Sequence, residues 1–232
     1  IKRMEKVWQL DTKLYIPHGD GEVVFAYPSF GQNIYRKVGE QILESNLRLP
    51  TSEEVVSLQH SVYSSENTTE FENIKYIMRN MWFWDFAVNL FTNEGIYIVQ
   101  DSKAEGLSME LKLDTLEGML KDGTELTNGV RFSGDKKVRF APKDSYKLEE
   151  HSSESLAKDG YMVARFNEEG ARQASELSRK FNHYPKIWGV EVKEEGKIEK
   201  RVSALDDSGL RLRVCGDDFA NGSGGHAFGV LK

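Results

Sequence analysis

The sequence predicts an α+β fold in which two main helices pack on a mixed or antiparallel sheet joined by long loops. Apolar residues at helical spacing dominate the first eighty positions, whereas the last hundred alternate strand-like hairpins with a single helix. This segregation favours α+β over a doubly wound sheet, where helix and strand would alternate throughout.

Val7, Leu10, Leu14 and Ile16 precede a His18-Gly19-Asp20-Gly21 turn, and Val23, Val24, Phe25 and Tyr27 follow it, which predicts two strands. Ser29 is the expected cap of a first helix running to about Ser45, because Ile34, Val38 and Ile42 recur every four residues and share a face. In Thr51-Ser52-Glu53-Glu54, a hydroxyl and a carboxylate three residues apart each satisfy the other's backbone N–H. A second helix therefore starts at Pro50 or just after, with Val55, Leu58 and Val62 inward. Beyond the polar break at residues 64–69, Phe71, Ile74, Met78 and Met81 predict a third, shorter helix.

The aromatic run from Trp82 to Phe86, with Leu90 and Phe91, and the apolar Ile96 to Val99 flank Thr92-Asn93-Glu94-Gly95, a hairpin central to the sheet. Its aromatics read as core rather than as a ligand platform. Residues 130–140, VRFSGDKKVRF, form a small ribbon with Arg131 and Arg139 outward. Residues 143–159 are a polar, Ser-rich surface loop and Tyr161 to Phe166 a strand; Asn167 caps a helix to about Asn182, and Ile187 to Val192 resumes strand character. In Leu210 to Cys215 the period of two sends Leu210, Leu212 and Val214 to one face and Arg211, Arg213 and Cys215 to the other. The apolar run Ala227 to Leu231 is expected to be buried, so the Asp-, Asn- and Gly-rich stretches before it are held at both ends.

A chain of 232 residues with 39% apolar, 29% charged and 11% aromatic residues has the composition of a folded protein, read as one domain over 1–232. Its net charge of −6, with Lys and Arg dispersed, argues against nucleic acid as a partner. The lone Cys215 excludes an internal disulfide and thiolate zinc motifs. No apolar run reaches the roughly 18 to 20 residues of a membrane span; the densest, Met81 to Val99, is broken by Asp85, Asn89, Asn93 and Glu94. The Ile1-Lys2-Arg3 start carries no apolar leader, and the compartment is left open.

Recognisable catalytic patterns are missing. Gly222-Ser223-Gly224-Gly225 leads toward a strand, whereas a phosphate cradle leads from strand into helix. There is no Gly-x-Ser-x-Gly elbow, and His18, His60, His151, His183 and His226 form no i, i+4 pair of a helical metal site. Asp206, Asp207, Asp217 and Asp218 lack the spacing of a calcium loop and read as turn formers. No metal, cofactor or enzymatic activity is expected.

Leu47 to Glu54, with its Arg-Leu-Pro-Thr core, resembles the start of the second helix in formylglycine-generating-type C-type-lectin folds. Trp188-Gly189-Val190 together with Gly225-His226-Ala227-Phe228-Gly229-Val230 is similar to variable proteins of diversity-generating retroelements, particularly the archaeal type. The resemblance rests on about a quarter of the chain. It implies a C-type-lectin fold serving as a rigid stage, with adenine-directed mutagenesis varying residues near the C-terminus, here about 180–225. It carries neither calcium-dependent sugar binding nor oxidation: the Glu-Pro-Asn, Gln-Pro-Asp and Trp-Asn-Asp tripeptides and the cysteine pair are absent.

On that resemblance the ligand surface falls on Arg211, Arg213, Cys215, Asp217, Asp218, Phe219, Asn221 and Ser223. Asp206, Asp207 and Ser208 form its rim, and His183, Tyr184, Lys186 and Trp188 border it. The expected function is non-enzymatic binding of a macromolecule, preferably protein, by a receptor or display module, with cell-surface or virion display left open. The alternative is a lectin-fold enzyme or carbohydrate-binding module with its site elsewhere, for example around Trp82, Trp84 and Asp85. A solvated edge strand with ordinary turns is the bland reading of the same residues.

Overall fold

The computed structural model describes residues 12–232; the strand positions expected at Val7 and Leu10 lie outside them. β1 (Thr12–His18) and β2 (Gly21–Tyr27) form an antiparallel hairpin about the expected turn. β3 (Phe30–Asn33) and then α1 (Tyr35–Glu44) come next, so Ser29 caps no helix; its hydroxyl bonds the His226 ring at 3.1 Å. α2 (Ser52–Ser64) begins with the foreseen reciprocal cap, Glu54 N donating to Thr51 Oγ1 at 3.3 Å and Thr51 N to Glu54 Oε2 at 2.9 Å. α3 (Thr69–Asn80) is capped by Thr68, and β4 (Trp82–Phe91) pairs with β5 (Gly95–Gln100) as the predicted hairpin.

The remaining elements are α4 (Leu113–Lys121), β6 (Thr124–Glu125), β7 (Arg131–Phe132), β8 (Val138–Pro142), α5 (Ser153–Leu156), α6 (Gly160–Ser178), β9 (Lys186–Trp188), β10 (Glu199–Asp207), β11 (Leu212–Asp218) and β12 (Gly225–Ala227). One ten-stranded sheet runs β6-β7-β8-β5-β4-β10-β11-β9, and β12 joins it at β4 and carries β3. Pairing is antiparallel except for β11 with β9 and β12 with β4. α4 and β10 went unforeseen. β10 opens on Glu199-Lys200-Arg201 and ends on two acids, so its apolar centre is too short to show a strand period.

Core lies on both faces of this sheet. Along β4, Phe83, Ala87 and Phe91 join a cluster with Val56 of α2, Met78 of α3 and Leu177 of α6, while Trp84, Phe86, Val88 and Leu90 join another with Val38 of α1 and Leu116 of α4. The buried Arg165 guanidinium ties α6 to the sheet. It donates to Asp85 Oδ2 at 2.7 and 2.9 Å, to Ala204 O at 2.9 Å and to Cys215 O at 3.0 Å.

Several sequence expectations are corrected by this architecture. Tyr161 to Phe166 is helical, started by Asp159, whose Oδ1 accepts from Tyr161 N at 2.9 Å. Being buried all round, these residues show no amphipathic period and mimic a strand. Asn167 does cap the second half of α6, its Oδ1 accepting from Gly170 N at 2.9 Å in a kink at φ 56°, ψ −179°, but the helix stops at Ser178. Arg139 is not outward: it is buried, ion-paired to Glu53 and bonded to Ala164 O and Arg165 O at 3.1 and 3.0 Å. The strand expected over Ile187 to Val192 is confined to Lys186–Trp188, and the loop at 143–159 contains short helical turns with His151, Leu156 and Asp159 buried.

The closing residues are fastened from two sides. Arg48 N donates to Val230 O and Val230 N to Arg48 O, both at 2.9 Å; Ala26 N donates to Gly229 O at 2.9 Å and Leu231 N to Val24 O at 3.0 Å. Phe228 stacks between Phe83 and Tyr27, with centroids 5.7 and 6.4 Å away. Because Arg48 also pairs with Glu54 through two bonds of 2.8 and 2.5 Å, the Leu47–Glu54 segment and the chain's last strand-like residues form one anchor.

Candidate ligand-binding cleft

β11 lies between β10 and β9, with Asp206 opposite Arg213 across one side and Lys186 and Trp188 beside Arg213 and Cys215 across the other. The parallel β9 strand thus brings residues nearly thirty positions earlier into register with the C-terminal segment. After Asp218 the chain leaves the sheet and returns as β12. This arc closes an open cleft of about 310 Å³, walled by Trp82, Trp188 and Phe219 and by Arg213, Asp217, Asp218 and Asn221.

The arc from 219 to 224 alternates. Phe219, Asn221 and Ser223 are exposed, and the residues between them hold the backbone. Ala220 O accepts from Tyr35 N at 3.3 Å, Ala220 N donates to Asp218 Oδ1 at 2.8 Å, and Gly224 O accepts from Trp82 N at 3.3 Å. Gly222 lies so close to Trp82 that a β-carbon would come within 2.7 Å of the indole, which only glycine avoids without displacing it. Ala220 itself sits at φ 63°, a left-handed turn fixed by its two backbone bonds.

Charged side chains here lie over aromatic faces: Lys186 Nζ 3.7 Å from the Trp188 centroid, the Arg201 guanidinium 4.1 Å from that of Phe219, and the Arg213 guanidinium 5.2 Å from a Trp82 ring. Arg213 Nε donates to Asp206 Oδ1 at 2.7 Å. Burial pushes the Asp206 carboxyl up to about 7 despite the opposing pull of Arg213. Burial likewise raises the Asp217 and Asp218 carboxyls.

Of the residues expected at the surface, Arg213, Asp217, Asp218, Phe219, Asn221 and Trp188 do converge on this cleft. Ser208 and Ser223 are exposed, and Lys186 flanks the cleft through Trp188. His183, Tyr184 and Arg211 instead line a neighbouring groove of about 440 Å³ with Arg179 and Phe181, where Arg211 pairs with Glu150. Four placements are corrected. Cys215, 6% exposed, sits at the cleft floor and belongs to the buried cluster that holds Trp84 and Ala204, because the second face of the sheet is core there rather than solvent. Asp206 is fully buried beneath Arg213, and Asp207 is buried with its carboxylate accepting from Tyr63 OH at 2.7 Å and Gly209 N at 2.6 Å. Leu210, expected inward, precedes β11 and is 53% exposed.

Trp82 and Arg201 were not foreseen as cleft residues. Trp82 is the first residue of β4, where the strand emerges from the core, and only its position next to the end of α3 signals this. Of the alternative site around Trp82, Trp84 and Asp85, Trp82 lines this cleft, whereas Trp84 and Asp85 are fully buried and Asp85 is taken up by Arg165. Among the described residues no group of three or more His, Cys, Asp or Glu side chains is placed to hold a metal, and no helix is long and apolar enough to cross a membrane.

No protein-family model and no curated protein matches the sequence. A solved structure, described as accommodation of massive sequence variation in Nanoarchaeota by the C-type lectin fold, superposes with a TM-score of 0.53 at 12% identity, covering 96% of this chain and 99% of that chain. The helices on both sides of an antiparallel-rich sheet, the pairing of the Arg48 segment with the closing Val230 segment and this superposition make the fold that of a C-type lectin.

Proposed function

We propose that the protein is a non-enzymatic, single-domain ligand-binding and display protein, a variable protein of an archaeal-type diversity-generating retroelement. Its surface within about residues 180–225 accepts extensive substitution and binds a protein partner. The alternation along residues 219 to 224 carries this reading: the exposed side chains are separate from the backbone contacts that hold the loop. The aromatic and guanidinium content of the cleft supports a protein ligand, since such side chains supply most of the energy in protein interfaces. The similar Nanoarchaeota structure, described in terms of sequence variation on this fold, supports variation as the purpose of the surface.

The reading predicts that gene sequences from separate isolates differ mainly between residues 180 and 225. A library randomised at Phe219, Asn221 and Ser223 should give predominantly folded protein from which binders to a chosen protein target are selected. Differences spread evenly over the chain, or a library that mostly fails to fold, would overturn it.

A further inference from the structure

Resting on the cleft as the ligand surface, we propose that its recognition element in this chain is the Arg213 guanidinium, which takes a carboxylate presented by a protein partner, with Asp206 as the positioning residue that aims it. The cross-strand register places Asp206 opposite Arg213, and its Oδ1 engages Nε alone. Nη1 and Nη2 make no hydrogen bond among the described residues, and the half-buried side chain rests against Trp82 at 5.2 Å. A guanidinium held in this way loses little conformational freedom on binding, and the N–H donors of its open Nη1/Nη2 edge match the two oxygens of a carboxylate.

The neighbouring charges are engaged otherwise. Arg201 pairs with Glu199 at 3.0 Å and covers Phe219, while Arg211 pairs with Glu150. Asp217 feels Arg201 and Lys186, and Asp218 accepts from Ala220 N. Arg213 is thus the cleft cation that has both a set direction and open donors.

Asp206 Oδ2 is buried and has no partner, so it is the atom that accepts a proton while Oδ1 keeps the bond from Nε. The groups facing this carboxyl are Arg213, Asp218 and the neutral Cys215 thiol on β11 and Asp207 on its own strand. With Asp206 at about 7, it is ionised above that pH and competes with a ligand for Arg213; below it, the full charge of Arg213 is available. Binding of a carboxylate therefore takes up a proton and tightens as pH falls, by about tenfold from pH 8 to pH 6 if the bound state keeps Asp206 protonated.

The test is an NMR titration of the full chain, following the Trp82 indole N–H, with Nα-acetylglutamate amide as the carboxylate probe and Nα-acetyllysine amide as the ammonium probe. The carboxylate should give a saturable shift that is about tenfold weaker in Arg213→Gln and Arg213→Lys, unchanged in Arg211→Gln, and about tenfold tighter at pH 6 than at pH 8. Asp206→Asn should flatten that pH dependence, and dispersed spectra of each variant establish that it is folded. Absence of a saturable shift, equal binding by folded Arg213→Gln, or tighter binding of the ammonium probe would overturn the proposal. Such a failure leaves the tolerance of the loop to substitution, which the library measures, unaffected.

Discussion

Replacing Phe228 and Phe219 by alanine, one at a time, separates the anchor from the display surface. Both remove the same atoms. Phe228 is buried between Phe83 and Tyr27, so its truncation leaves a cavity in the cluster shared with Val23 and Val230 and is expected to cost about 3–5 kcal/mol. Phe219 is 58% exposed and its ring lies 4.1 Å from the Arg201 guanidinium, a cation–π contact of about 0.5–1 kcal/mol for a ring left largely in water. At about 2–4 °C per kcal/mol for a chain of this size, the melting temperature should fall by about 6–20 °C for Phe228→Ala and by less than about 4 °C for Phe219→Ala. Thermal unfolding by calorimetry, supported by urea midpoints at constant slope, measures both. Comparable losses would refute the separation of anchor from display, as would a negligible loss at Phe228.

Two further outcomes concern the interior. The Cys215 thiol is buried and its ionisation is pushed up by burial and by Asp206, so a thiol reagent at pH 8 should label the native protein far more slowly than the urea-unfolded chain; rapid native labelling would place the sulfur at the surface after all. Arg165→Met should destabilise by about 3–5 kcal/mol because Asp85 is left buried and unpaired, and adding Asp85→Leu should restore much of that loss; double-mutant denaturation in which the two losses simply add would show that the pair is not coupled.

Much of the fold was legible where a local cap or turn marks the start of an element. The Thr51–Glu54 cap, the Thr92–Gly95 turn of the β4–β5 hairpin and the Asn167 cap are such signals, and all three are present. Legibility is lost where burial is two-sided and no cap or turn signal was read at the element's start. Residues 161–166 are buried all round and lack the period that distinguishes helix from strand, and alternation puts Cys215 in solvent only if one face of its strand is wet along its whole length. For the cleft, the composition of residues 217 to 223 already pointed to exposed, chemically varied side chains. Trp82, Lys186 and Trp188 join them through strand pairing that no local pattern encodes.

By itself the sequence determined which segments carry apolar faces, where several helices are capped, and that the closing run Ala227 to Leu231 belongs in the interior, since these depend on residues within a few positions of one another. Only the tertiary structure decided that the second face of β11 is core at Cys215 yet open at Arg213, that Asp206 is hidden beneath the arginine it faces, and that β9 supplies the opposite wall. Those outcomes depend on which strands become neighbours, and solvent access to a side chain is a property of the layers stacked around it rather than of its own segment.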